Sequence, residues 1–208
     1  MLERRTSGFE ASGAAQGAVL ANASVGEMLP DFDERTVVDA AQKGDQGALS
    51  ALYEYYFPRV YRYVAARLPS NEDAEDVTTE IFLRIIDNLN SFSWRGLPFG
   101  AWVFRIARNE TVSHVRRMKV RSATAPLTES IQDMSQDYVM EIETQFTIEI
   151  VRQATLRLPE AQRQVIALRF GAGLSVAETA QALKKTENNV KVLQHKAIAK
   201  LQTLVPRD

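Results

Sequence analysis

Leu174-Ser-Val-Ala-Glu-Thr-Ala-Gln-Ala-Leu-Lys-Lys-Thr-Glu-Asn-Asn-Val-Lys-Val-Leu-Gln-His-Lys-Ala-Ile-Ala-Lys-Leu201 reads as two short helices joined by a tight turn. Ser175 followed by Glu178 is a capping box that starts the first helix. Ala177, Ala180 and Leu183 then fall at helical spacing for an inward face. Lys184 and Lys185 occupy the turn, and Thr186 suits the N-cap of the second helix. There Val190, Leu193, Ala197 and Leu201 form the inward stripe. Asn188, Lys191 and His195 point the other way, flanked by Val192 and Lys196. A polar, basic second helix after such a turn is the layout of a helix-turn-helix that enters the major groove of DNA.

Working outward, the charge pattern supports that reading. Residues 31–92 carry 12 acids against 6 cations, and residues 93–121 carry 7 cations against 1 acid. Residues 122–151 hold 6 acids and no cation, and residues 152–208 hold 10 cations against 4 acids. Two basic blocks kept apart by an acidic one predict two nucleic-acid contacts, with the acidic surfaces left for a protein partner. The 208 residues suffice for one large or two small domains, and a 45% hydrophobic content can supply their cores. Without cysteine there are no disulfides and no thiolate metal sites. No apolar run is long enough to span a membrane, and none follows Arg4 and Arg5 to make a signal peptide. A cytoplasmic location is expected.

The rest of the chain reads as helices, with no strand pattern and no repeat. Residues 1–30, rich in Ala, Gly and Ser, read as a disordered tail. Residues 34–68 give two helices. The first ends near Gly44, and the second packs through Leu49, Leu52, Tyr53, Tyr56, Val60 and Val64, with Pro58 expected to kink it. The helix from Asn71 to about Leu89 carries two stripes. Ala74, Val77, Ile81 and Ile85 face a core; Asp73, Asp76, Glu80, Leu83 and Asp87 form an acidic face with an apolar residue in it, which period and charge alone fit equally to docking on a basic partner and to a solvated face. A loop with Phe92, Trp94 and Arg95 leads to a helix from Phe99 to about Val120. Arg105, Arg108, Arg116 and Lys119 line one side of it, Trp102 and Asn109 lie beside them, and Val103, Ile106 and Ala107 face inward. Residues 122–136 read as a flexible linker, and a helix resumes near Asp137 and runs to about Arg157. Pro159 opens the next helix at a position where its missing N–H is harmless; Val165, Ile166 and Leu168 are its core side, and Gly171 and Gly173 end it.

Three of these segments resemble the bacterial RNA polymerase sigma factors of the extracytoplasmic-function (ECF) group. Asp73-Ala-Glu-Asp-Val-Thr-Thr-Glu-Ile-Phe-Leu-Arg84 resembles region 2.2, and Phe99-Gly-Ala-Trp-Val-Phe-Arg-Ile-Ala-Arg-Asn109 resembles regions 2.3 to 2.4. Leu158-Pro-Glu-Ala-Gln-Arg-Gln-Val-Ile-Ala-Leu-Arg169, with the helix-turn-helix, resembles region 4. The resemblance implies an all-α fold of two helical domains on a flexible linker: region 2 over 31–121, the linker over 122–136 and region 4 over 137–208. It implies docking on the β′ clamp helices of core RNA polymerase through Asp73, Asp76, Glu80, Leu83 and Asp87, with the β subunit as a further contact of the chain. Trp94, Arg95, Trp102, Arg105, Asn109, Arg116 and Lys119 would recognise the promoter −10 element as it melts. Thr186, Asn188, Asn189, Lys191, Val192, His195 and Lys196 would read the −35 element. Promoter DNA and core polymerase are the implied partners, with an anti-sigma factor as a further candidate.

Opening a duplex requires no catalytic residue. It requires a place where an unpaired base is held better than a paired one, and aromatic faces, arginine and an amide supply that. Two departures stand out: Lys184 occupies a turn position where the family usually has Gly, and Val192-Leu193 stand where it often has Ser-Arg. Packing is the first expectation for Trp102, and contact with nucleic acid for Trp94. Neither His114 nor His195 has a second His or Cys at ligand spacing, so no metal, cofactor or small-molecule substrate is expected. Glu110 and His114 at i, i+4 read as a helix-surface pair rather than acid–base machinery, and no enzyme constellation appears. Thr78 and Thr79 lie within the acidic helix, where phosphate would add negative charge. The rival reading is a stand-alone helix-turn-helix regulator that binds operators without polymerase; the acidic face and the second basic block argue against it.

Overall fold

A computed structural model describes residues 32–124 and 149–205. The predicted tail, most of the predicted linker and the start of the helix expected from Asp137 lie outside the described residues. Within them every regular element is helical. In chain order these are α1 (Glu34–Gln42), α2 (Gln46–Ala65), α3 (Asn71–Asn88) with a 3₁₀ turn (Leu89–Ser91), and α4 (Phe99–Thr124). Then come α5 (149–156), α6 (Glu160–Ile166) continuing as a π turn (Ala167–Gly171), α7 (Val176–Leu183) and α8 (Glu187–Leu204).

Local chemistry sets the helix starts. The carboxylate of Asp33 caps α1, that of Asp45 accepts from the Ala48 amide at 2.8 Å at the start of α2, and Ser70 caps α3. Helix α2 continues through Pro58 to Ala65 despite the lost donor. Helix α4 runs to Thr124, three residues into the stretch read as linker. The predicted inner stripe of α3 is buried, with Thr78 and Phe82 added to it. The Thr78 hydroxyl donates to the Ala74 carbonyl at 2.6 Å inside the core, so of the two threonines only Thr79 is open to modification. Two inward assignments fail. Tyr53 packs its ring on Phe57 and Phe82 at the edge of the core and stays exposed, and Ala177 faces solvent while Thr179 and Ala182 turn inward.

The two halves share one core. Val165, Leu168, Leu174, Leu183 and Val190 belong to the same buried cluster as Tyr63, Val64, Phe99 and Phe104. Helix α7 packs on α4, and the π turn packs on α2. The π turn closes through the Ala172 amide to the Ala167 carbonyl at 2.9 Å and leaves the last carbonyls of the helix pointing outward. Arg62 donates to the Gly171 carbonyl at 2.9 Å and Arg59 to the Ala172 carbonyl at 2.8 Å, placing cations at the negative helix end. A side chain at Gly171 would meet the Arg62 backbone carbonyl at 3.3 Å, so the close approach favours glycine. Arg152 donates in the same way to the carbonyls of Leu68 and Pro69 beyond α2, at 2.9 Å each.

Candidate nucleic-acid and polymerase interface

The first surface is the outer face of α3. Its N-terminal turn carries Glu72 and Asp73, favourable at the positive helix end. Asp76, Glu80, Leu83 and Asp87 are exposed, Leu83 at 60%. Asp73 is only partly so, with a carboxylate oxygen 3.6 Å from His114 Nε2 on α4. Glu80 lies 3.6 Å from Arg117, both ends about half exposed, a pair worth little in water. The apolar component is larger than the sequence stripe indicates: Ile86 and Tyr53 are also exposed. Ile86 falls outside the acidic period, and Tyr53 arrives from α2, which is why periodicity missed both.

The second surface lies where α3 meets α4. Trp102 is 7% exposed, its ring 5.2 Å from Phe99 and 5.4 Å from Phe92, so packing is its main role. Trp94 is half-buried: its indole N–H donates to Asp39 at 2.9 Å, its ring meets Phe92 edge-on, and the Arg35 guanidinium sits 5.7 Å from the ring centre. Gln42 holds the same loop by donating to the Leu89 and Phe92 carbonyls at 2.9 Å each. Helix α1 therefore fixes the loop that carries Trp94 and Arg95. Arg95, Asn109, Arg116 and Lys119 are exposed and Arg105 is half-buried.

An open cleft of about 210 Å³ brings two of these candidates, Trp102 and Asn109, together with Ile106 and Glu110 on α4, facing Arg84, Asn88 and Ser91. Trp94, Arg95, Arg105, Arg116 and Lys119 do not line it. Sequence reading missed Arg84, Asn88 and Glu110. It also paired Glu110 with His114 along one helix, whereas each turns to α3: Glu110 to Arg84 at 3.1 Å and His114 to Asp73. Cross-helix partners carry no sequence period.

The third surface is α8. The capping box on α7 is formed in both directions, Glu178 N–H to Ser175 Oγ at 3.1 Å and Ser175 N–H to the Glu178 carboxylate at 2.7 Å. The turn passes through Lys184 at φ 53°, ψ 46°, the sole non-glycine residue with positive φ among those described. The Lys185 amide closes the turn on the Ala180 carbonyl at 2.8 Å. Thr186 then caps α8 by accepting from the Asn189 amide at 3.2 Å. Val190 and Ala197 are buried and Leu193 and Leu201 half-buried, which turns Asn188, Asn189, Lys191, Val192, His195 and Lys196 to solvent along with Thr186. Among the described residues no group of side chains could hold a metal ion, and no helix is long and apolar enough to cross a membrane.

A helical unit with an acidic outer face and a cleft, packed against a helix-turn-helix with an exposed basic helix, defines a two-part transcription factor of the sigma-70 type. Residues 52–121 match the family model for sigma-70 region 2, and residues 156–203 match that for sigma-70 region 4. The chain is 36% identical over 176 residues to the ECF RNA polymerase sigma factor BldN of Streptomyces coelicolor, covering 83% of this chain and 66% of BldN, just under two thirds of that relative. It is 35% identical over 175 residues to the ECF RNA polymerase sigma factor SigD of Mycobacterium tuberculosis, covering 80% of this chain and 81% of SigD. The structure of CnrH in complex with the cytosolic domain of CnrY has a similar fold, with a TM-score of 0.64 over 82% of this chain and 95% of that one, at 22% identity. The chain belongs to the ECF RNA polymerase sigma factors, which direct RNA polymerase to promoters and are not enzymes.

Proposed function

We propose that the three surfaces divide the work of initiation. The acidic face of α3, through Asp76, Glu80, Leu83 and Asp87 with Asp73 at its margin, docks on core RNA polymerase at the β′ clamp; Ile86 and Tyr53 extend its apolar part. The cleft and the basic residues around it take the −10 element as the strands separate. Trp102 and Asn109 meet a displaced base in the cleft, while Arg95, Arg105, Arg116 and Lys119 hold phosphates and Trp94 shapes the loop. The exposed face of α8 reads the −35 duplex from the major groove, Lys191 and Lys196 by charge and Asn188, Asn189, Val192 and His195 at base edges. Family membership adds an anti-sigma factor as a proposed regulator and the cytoplasm as the place of action.

The observation that carries this reading is that Trp102 and Asn109, both expected at the −10 element, line one cleft beside the acidic docking helix. Run-off transcription with purified core polymerase and genomic fragments tests it. Promoter-specific transcripts that depend on this chain are expected. A folded chain that binds operator-like duplexes and yields no such transcript would favour the stand-alone regulator instead.

A further inference from the structure

Glu110 is the single acid among the residues 93–121, which carry seven cations. A carboxylate on a surface that holds phosphates repels them, so its position needs a cause. Its side chain is 14% exposed and lines the cleft beside Trp102 and Asn109. One oxygen lies 3.1 Å from Arg84 Nε across the cleft, an ion pair that orients the carboxylate. Asn109, next in the chain and in the same cleft, is exposed and offers an amide that donates or accepts.

We propose that Glu110 sets which base the cleft accepts: one carrying an exocyclic amine, that is, adenine, cytosine or guanine in preference to thymine. The inference rests on the −10 reading of the cleft given above. Glu110 accepts from the amine, as carboxylates do from cytosine N4, and the Asn109 amide pairs with the neighbouring ring nitrogen, donating to adenine or cytosine and accepting from guanine. A thymine carries no amine and flanks its ring N–H with two carbonyl oxygens that repel the carboxylate. Trp102 walls the cleft for any base and so adds affinity without discrimination. Arg84 is a positioning residue that acts through Glu110.

The test uses holoenzyme assembled from the full chain and core polymerase. The probes are promoter fragments that it transcribes, with each −10 position substituted in turn. At one position the wild-type holoenzyme should disfavour thymine against the three amine-bearing bases. Replacing the preferred base by its amine-free analogue (purine for adenine, 2-pyrimidinone for cytosine, hypoxanthine for guanine) should lower open-complex formation by about tenfold. With Glu110→Met the same replacement should change it by less than about twofold. Glu110→Gln, which keeps an acceptor oxygen, should retain part of the preference. Equal loss on amine removal in wild type and Glu110→Met would overturn the proposal. So would the absence of any amine-sensitive position in wild type, a result that needs no variant to fold. Failure of wild-type holoenzyme to transcribe any fragment would instead strike the −10 reading itself.

Discussion

The guanidinium of Arg67, 3% exposed at the end of α2, meets the Glu160 carboxylate at the start of α6 at 2.5 Å. Ninety-three residues separate them in sequence, and the pair joins the two halves of the fold. Glu160 also accepts from Gln164 at 2.8 Å, and Gln164 in turn accepts from Arg108 on α4 at 3.3 Å. Burial opposes the charge on Arg67, but Tyr63 and Glu160 more than offset it and raise its pKa.

Removing one partner leaves the buried arginine uncompensated. Loss of one member of a fully buried pair costs about 3–5 kcal/mol, and less where the other end meets water. Glu160 is about half exposed, so Glu160→Gln should destabilise the chain by roughly 1–2 kcal/mol. Denaturant unfolding measures this, and an unchanged midpoint would contradict it.

The same carboxylate gives a pH dependence. Burial pushes the Glu160 pKa up, but Arg67, Gln164 and Arg163 together pull it below the ordinary 4.5. A lowered folded-state pKa provides stability that is complete above the unfolded value and lost as pH falls through the folded one. Acidification below about pH 4.5 should therefore weaken the wild-type chain more than Glu160→Gln, as unfolding midpoints measured across that range will report.

Lys184 holds a left-handed conformation that a Cβ disfavours by about 1–2 kcal/mol. Glycine relieves that strain but gains freedom in the unfolded chain, worth about 0.5–1 kcal/mol. Lys184→Gly should raise stability by about 0.5–1 kcal/mol, visible as a higher melting temperature. A lower one would show that the lysine side chain contributes more than the backbone strain.

Asp76→Lys combined with Glu80→Lys should abolish binding to core polymerase while leaving helical content unchanged, since neither side chain is buried. The Glu80–Arg117 contact is too exposed for its loss to unfold α3. Titration of labelled core measures the first and circular dichroism the second. Retained binding would remove this face from the docking surface.

Lys191→Ala with Lys196→Ala should weaken −35 duplex binding and lower the salt slope by about two. Both lysines stand on the exposed side of α8, so the effect comes from phosphate contacts rather than from misfolding. An unchanged slope would place α8 elsewhere than in the groove.

The sequence makes local order legible and long-range contacts much less so. The stripe Ala74, Val77, Ile81 and Ile85 follows from helical period, and the Ser175–Glu178 box from spacing alone. Period resolves a face to within one residue either way, which is why Tyr53 and Ala177 were placed inward and face out. Trp94 reads as a free aromatic in a polar loop because its partner Asp39 lies 55 residues away. Arg59, Arg62 and Arg67 read as charge on an acidic block, whereas they cap and pair with the distant helix from Glu160 to Gly171. Nothing in Ala167–Gly171 announces a π turn or the Arg59 and Arg62 guanidiniums that meet its end.

That packing also bears on promoter binding. The −35 and −10 elements lie about 25 base pairs apart, roughly 85 Å along B-DNA. A compact body of about 150 residues has a radius of gyration near 15 Å, too small to reach both. On the proposed division of promoter contacts the two halves would separate on DNA, and the direct test is photocrosslinking within the holoenzyme from positions 109 and 195 of the same chain. Position 109 should mark the displaced strand of the −10 element, and position 195 the duplex about 25 base pairs upstream. Crosslinks from both positions to one stretch of DNA, or from both to polymerase alone, would contradict the division of promoter reading between the two modules.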